Sequence, residues 1–362
     1  MKHLIPDYPL LEVDRAMKKM RKMWARQDLN LNDPATFITW NDPKYNDVIE
    51  LLPQMQSKRM VEDAEVDLSL QLERVAKEVD FLKAGSSAIP TLNLLHFGTG
   101  VLATAFGSKI VLRDGSQPAF EPAVYTPDEV SRLKKPDLYN DGILPEIYKR
   151  IDYFNENTHG LIPIVPSDTA GPWTIATQIW NYQSMLEAIY DAPDVVHNFL
   201  EMVTECIIEF NDIQLARIGK NFFGCRSNGG QIWFPHGFII GDDTIVCVSN
   251  DHYTEFFRPY NELMAKTLGG AMYHCCMRYD FQFKVIAESK GFIGFDPDPE
   301  YNDMELALKY LSQNGVYTRP VIDREVARLF YGKVAFVPQV NGECRQEALE
   351  KAEEFIKYAG SV

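Results

Sequence analysis

The sequence predicts an α/β protein: a (β/α)8 TIM barrel over residues 86–362, preceded by an N-terminal helical extension over 1–85. Three observations carry that reading. From about residue 160 onward, short apolar runs alternate with helical stretches, the pattern of parallel βα units. No internal repeat, low-complexity tract or linker divides the 362 residues into separate bodies. That length also falls within the ~200 to more than 400 residues that such barrels occupy as one unit. About six βα units can be counted after residue 160, with room for more before it, which favours a closed barrel over an open doubly wound sheet.

Taken in order, residues 66–83 carry apolar side chains at helical spacing, and Pro90 breaks the segment that follows. The run 161–166 (LIPIVP) reads as a strand leading to Ser167, Asp168 and Thr169. Helical stretches cover 173–190 and 194–218, separated by Ala192–Pro193. Residues 221–226 read as a strand, 227–230 as a loop and 253–268 as a helix. Strands follow at 271–275, 291–295, 316–320 and 335–338, with helices at 281–289, 303–313, 323–331 and 346–358. Asp168, Arg226 with Asn228, His274 with Cys276, Asp296, Arg319 and Cys344 each close or follow one of these strands. In a barrel those ends form the face on which active sites sit.

Composition narrows the functional classes. Hydrophobic residues make up 46% and charged residues 24%, a globular balance that excludes disorder. With 36 basic against 51 acidic residues the net charge is −15, and no basic stripe suited to phosphates is present, so nucleic-acid binding is not expected. No run approaches the ~18 apolar residues of a membrane span, and the N-terminus lacks a secretory h-region. The six cysteines are irregularly spaced and two are adjacent, which fits thiols or metal ligands in a reducing, cytoplasmic setting rather than disulfides.

The sharpest chemical pattern is His274-Cys275-Cys276 together with Cys344. Residues two apart on a strand end project to the same side, giving a nitrogen–sulfur pair that a distant cysteine could complete. Zinc accepts such ligands, and a catalytic site keeps a fourth position open. Buried cysteine that merely packs is the competing reading, and Cys206 and Cys247 are read as core in that way. Asp242-Asp243 is either a carboxylate pair or, more simply, a helix cap. His236 is a pocket or surface histidine, and Trp233, Phe234 and Tyr253 are an aromatic wall or core. The glycines at 98, 100 and 107 lack dinucleotide-binding spacing.

Several stretches resemble the superfamily of uroporphyrinogen decarboxylases and cobamide-dependent methyltransferases. They are Pro90 with ATAFGSKI at 103–110, PSDTAGPWTIA at 166–176, DDTIVCVSNDHYTEFFRPY at 242–260, GGAMYHCC at 269–276, and the NGEC loop with its helix at 341–359. The resemblance runs from about residue 85 to the end and implies a (β/α)8 barrel. The decarboxylase branch carries an Arg-Gln-Ala-Gly-Arg motif that this chain lacks. It also has an aspartate where residues 89–93 offer none, and a Gly-His-Gly loop where Gly342-Glu343-Cys344 stands. The methyltransferase branch has a His-x-Cys pair and a distant cysteine as zinc ligands, matching His274, Cys276 and Cys344. This chain departs from it with Met277 in place of the usual glycine and with Cys275 in the middle; Cys276 is preferred as ligand because Cys275 should face the other way.

The resemblance therefore implies a zinc-dependent methyltransferase that moves a methyl group between a small substrate or thiol and the cobalamin of a separate corrinoid protein. Asp168, Asn228 and Arg319 are the candidate substrate-orienting residues, on position alone. The alternatives are a decarboxylase-like lyase with altered substrate contacts, or a barrel that binds a corrinoid or tetrapyrrole without catalysis. The methyl donor, the direction of transfer and the oligomeric state, a homodimer included, stay open.

Overall fold

A computed structural model describes residues 7–45, 58–113, 116–223, 233–234, 238–313 and 315–361. The architecture is α/β, with short parallel strands separated by helices. Strand β1 (Phe37–Trp40) pairs in parallel with β10 (Gln339–Gly342). Strand β2 (Leu92–Asn93) pairs with β5 (Ile164–Val165), and Ile164 also bridges Phe222. A four-stranded parallel sheet runs β6 (Phe238–Gly241), β7 (Ala271–His274), β8 (Phe292–Phe295) and β9 (Val316–Tyr317). Beyond β9 the pairing continues, because the Tyr317 amide donates to the Ala335 carbonyl and Val321 bridges Pro338. Only β3 (Lys109–Val111) and β4 (Ala119–Glu121) are antiparallel among the described strands. Runs such as FIIG and AMYH are apolar along their length because parallel strands are covered on both faces.

The first helix, α1 (Leu10–Trp24), buries Ala16, Met20 and Met23, a helical stripe spaced by four and three residues. They enter a cluster with Phe37, Val165 and Val316 from β1, β5 and β9 and with Ile89, Phe223, Ala335 and Val337 from neighbouring segments. Helix α1 is thus packed onto the strand array, to which β1 of the same N-terminal segment itself belongs, and the Trp24 indole N–H ties α1 to the Trp233 carbonyl at 2.6 Å. Helix α2 (Ala64–Lys83) starts where Asp63 accepts the amides of Glu65 and Val66. Asp67 on this helix is fully buried and meets Arg150 and His96, locking α2 to the helix α3 (Leu144–Asn157). No helix of the described residues is long and apolar enough to cross a membrane.

Several sequence expectations need correction. The helix expected over 173–190 is two, α4 (Pro172–Ile179) and α5 (Tyr182–Asp191), because Trp180 turns extended and Asn181 caps the Ser184 amide. The helix expected over 253–268 opens with a π turn at Tyr253–Phe257 before α7 (Arg258–Thr267), α6 being Pro193–Ile218. Pro259 explains the slip: it has no amide to give to residue 255, and its ring crowds that carbonyl. Strands β1, β2 and β6 went unread, each running into a 3-10 turn in place of a helix, so that no strand–helix alternation marks them. Cys247 is exposed, not core, since in a 3-10 turn Ile245 and Val248 share the inward face.

Candidate metal centre

The C-terminal ends of β6, β7 and β8 are brought level by their ladders. Gly241 pairs with His274, and Tyr273 pairs with Phe295, so the residues that follow these pairs converge. His274 is buried, and its Nδ1–H donates to both oxygens of Asp296 at 2.8 Å each. Asp296 is fully buried, so water cannot replace it. This arrangement fixes the tautomer and turns Nε2 toward Cys276, whose Sγ lies 3.1 Å away. Burial disfavours the charged ring, but the Asp296 carboxylate and Cys276 hold the His274 imidazole well above its ordinary value.

Cys275 points away, as its position on the strand predicts: it is buried in the main core, and burial pushes its thiol up. Its Sγ accepts the Met277 amide at 3.4 Å. Among the described residues, the metal-ligating atoms gathered within 4.8 Å of one another belong to Asp243, His274 and Cys276. Cys344 is not in that group. It follows β10, whose ladder partner is β1, and stands exposed at the N-cap of α11 (Arg345–Ala359); α8 (Phe283–Ala287), α9 (Met304–Leu311) and α10 (Arg324–Phe330) precede it.

Asp242 does not cap the turn that follows it. Its side chain is buried instead, accepting from Asn261 at 2.9 Å and from the Thr174 hydroxyl at 3.3 Å, and burial pushes it up to about 6. Gly171 permits this: a Cβ there would collide with the Asp242 carboxylate. Asp168, after β5, accepts the Ala170 amide at 2.8 Å, and burial raises its pKa against the opposing pull of that amide and of His274. Arg319, after β9, donates Nε–H to the Asp296 carbonyl at 3.2 Å and pairs with Asp298 at 3.0 Å. Asp168, His274, Cys276 and Arg319 therefore surround the same strand ends, while Asn228, Arg226 and His236 lie outside the described residues. Phe234 and Tyr253 are buried and belong to the core, while Trp233 packs half-buried against α1 and lines a cavity beside it.

The role of Asp296 was missed in the sequence, although it had been marked as a strand-end residue. Only the ladder shows that it faces His274. Asp242-Asp243 reads from sequence as a carboxylate pair or a cap, and only the ladder brings Asp243 beside Cys276.

Comparison with known proteins gives the family context. Residues 94–222 match the family model described as uroporphyrinogen decarboxylase (URO-D). A uroporphyrinogen decarboxylase from Cellvibrio japonicus is 26% identical over 117 residues, 31% of this chain and 32% of the relative. A methylated-thiol–coenzyme M methyltransferase from Methanosarcina mazei is 25% identical over 153 residues, 42% of this chain and 36% of the relative. The matches thus span about a third of the length of these curated relatives. A solved methyltransferase from Methanosarcina mazei superposes with a TM-score of 0.65 at 15% identity, covering 95% of this chain and 98% of that one. Residues 94–222 are thus similar to uroporphyrinogen decarboxylases, and the α/β fold is like that of this methyltransferase; of the sequence motifs, those at 103–110 and 166–176 fall inside the matched segment.

Proposed function

We propose that the protein is a zinc-dependent methyltransferase, moving a methyl group between a small methylated substrate or a thiol and the cobalamin of a separate corrinoid protein. On this reading the strands close as a (β/α)8 barrel, the site opens on its C-terminal face, and the enzyme works in the cytoplasm.

One observation carries the reading: the His274 nitrogen at the end of β7 and the Cys276 sulfur just beyond it stand 3.1 Å apart, with the histidine held from behind by a buried carboxylate. Imidazole and thiolate suit zinc. A carboxylate on the far ring nitrogen is the usual support of a metal-bound histidine. His274 and Cys276 would hold the ion; the distant cysteine of the sequence motif, Cys344, lies outside the group of donor atoms gathered within 4.8 Å. When bound, zinc supplies a Lewis acid at the strand ends. Asp296 keeps the proton on Nδ1 of His274 and leaves Nε2 for the metal. Asp168, close enough to His274 to interact with it electrostatically, is placed to orient substrate. Arg319, anchored by Asp298 and the Asp296 carbonyl, presents a fixed positive charge for orienting substrate.

Metal analysis and a cobalamin methylation assay test this together. Expected are about one equivalent of zinc, its loss in Cys276→Ser, and spectral conversion of cobalamin with a methyl donor present. A protein that takes up no zinc on titration refutes it. The decarboxylase matches favour a second reading, which release of carbon dioxide from a porphyrinogen without metal would support.

A further inference from the structure

We propose that Asp243 is a protein ligand of the metal centre, so that the ion is held by imidazole nitrogen, thiolate sulfur and carboxylate oxygen from His274, Cys276 and Asp243. This rests on the metal-centre reading above and goes beyond it, since the sequence motif places the third donor on Cys344.

Strand register does the placing. Gly241 pairs with His274 in the parallel ladder of β6 and β7, so Asp243 comes level with Cys276, each two residues further on. The two segments stay tied beyond the ladder. The Asp242 amide donates to the His274 carbonyl at 3.0 Å, and the Cys276 amide donates to Asp243 Oδ1 at 2.6 Å. These bonds hold the exposed Asp243 carboxylate against the thiol instead of leaving it to turn into solvent. An ionised carboxylate has about four lone-pair positions, so accepting one amide leaves it free to bind a cation. The three donor atoms lie within 4.8 Å of one another, a spread that ligands at ~2.0–2.3 Å from a single zinc ion can close with small side-chain movement. Cys344 has no such tether to β7: its strand, β10, is laddered to β1.

The donor set bears on the substrate. A carboxylate gives the ion less electron density than a second thiolate would, leaving a harder Lewis acid. Such an ion suits a methyl group carried on oxygen or nitrogen better than a bound thiol kept nucleophilic.

The test compares wild type, Asp243→Asn, Asp243→Ala and Cys344→Ala after chelator stripping. Each is titrated with zinc against a chromophoric competitor, and its visible spectrum is recorded with cobalt(II) in place of zinc. The zinc affinity of both Asp243 variants is expected to fall at least about 10-fold, with a shifted cobalt spectrum, while Cys344→Ala matches wild type in both. The asparagine keeps the shape of aspartate and an oxygen for the Cys276 amide, so it carries the test if Asp243→Ala fails to fold by circular dichroism. Wild-type affinity or an unshifted cobalt spectrum in Asp243→Asn overturns Asp243 as ligand and leaves the metal centre standing. Failure of the wild type itself to take up zinc or cobalt overturns the metal centre, and this inference falls with it.

Discussion

Replacing Asp296 tests whether the strand ends are organised around His274 as a ligand. Both carboxylate oxygens lie 2.8 Å from Nδ1, and the residue is fully buried, so no solvent substitutes for it. Asp296→Asn keeps the volume and one acceptor but removes the charge that makes the imidazole a better donor. Loss of such a supporting group ordinarily costs 10–100-fold in metal affinity, about 1.4–2.8 kcal/mol. Asp296→Ala goes further, because the Nδ1–H is left buried without an acceptor, a cost of roughly 1–3 kcal/mol, and the ring is free to turn. The predicted order of zinc affinity is wild type, then Asn, then Ala, with the Asn variant lower by one to two decades, measured by competition with a chromophoric chelator at constant pH. Zinc affinities within about twofold of wild type in both variants would refute the reasoning, since a histidine that binds metal cannot be indifferent to what holds its other nitrogen.

Other perturbations read other links in the chain of argument. Gly171→Ala drives a methyl group into the buried Asp242 carboxylate, which Thr174 and Asn261 hold in place, and is expected to destabilise by about 1–3 kcal/mol in urea unfolding. Met20→Ala empties a fully buried position between α1 and the strands; a loss of about 2–5 kcal/mol is expected, and a loss below ~1 kcal/mol would make α1 peripheral to the fold. The Tyr125 amide, together with the Thr126 hydroxyl, holds the Glu129 carboxyl below its ordinary 4.5, so its stabilising contribution is complete above that pH and lost as pH falls through the lowered value. Carboxyl NMR titration would show the depressed midpoint, and Thr126→Ala should return it toward 4.5.

What was legible in the sequence followed from periodicity and from local chemistry. Helix α2 and the strands β7 and β8 announce themselves by apolar spacing, and His274 with Cys276 by the alternation of strand side chains. Less legible was anything decided by one residue against its local preference. Trp180 ends a helix because its indole is wanted in the core, and nothing in a helical pattern marks that. Strand β6 is as long as β7 and β8, but it lies between glycines and runs into a 3-10 turn, so no strand–helix alternation marks it. The site divides in the same way. Donors on one strand could be found from sequence, but Asp296 and Asp243 come from its two neighbours, and adjacency between strands is a property of the ladder alone.

The family match and the chemistry occupy different parts of the chain. The matching segment ends at residue 222, whereas Asp243, His274, Cys276 and Asp296 all lie on strand ends after it. Of the candidate site residues with a described position, only Asp168 falls inside the match. The shared segment therefore speaks for the scaffold and for one wall of the site. It is indifferent to whether that scaffold works with a metal. A barrel-like array of strand ends can carry different reactions by changing the groups at those ends while keeping the strands that present them. The choice between decarboxylation and methyl transfer thus rests on three adjacent strands, β6 to β8. There a histidine backed by a buried carboxylate stands with a thiol 3.1 Å from its ring and a tethered aspartate, the groups whose metal affinity the variants above measure.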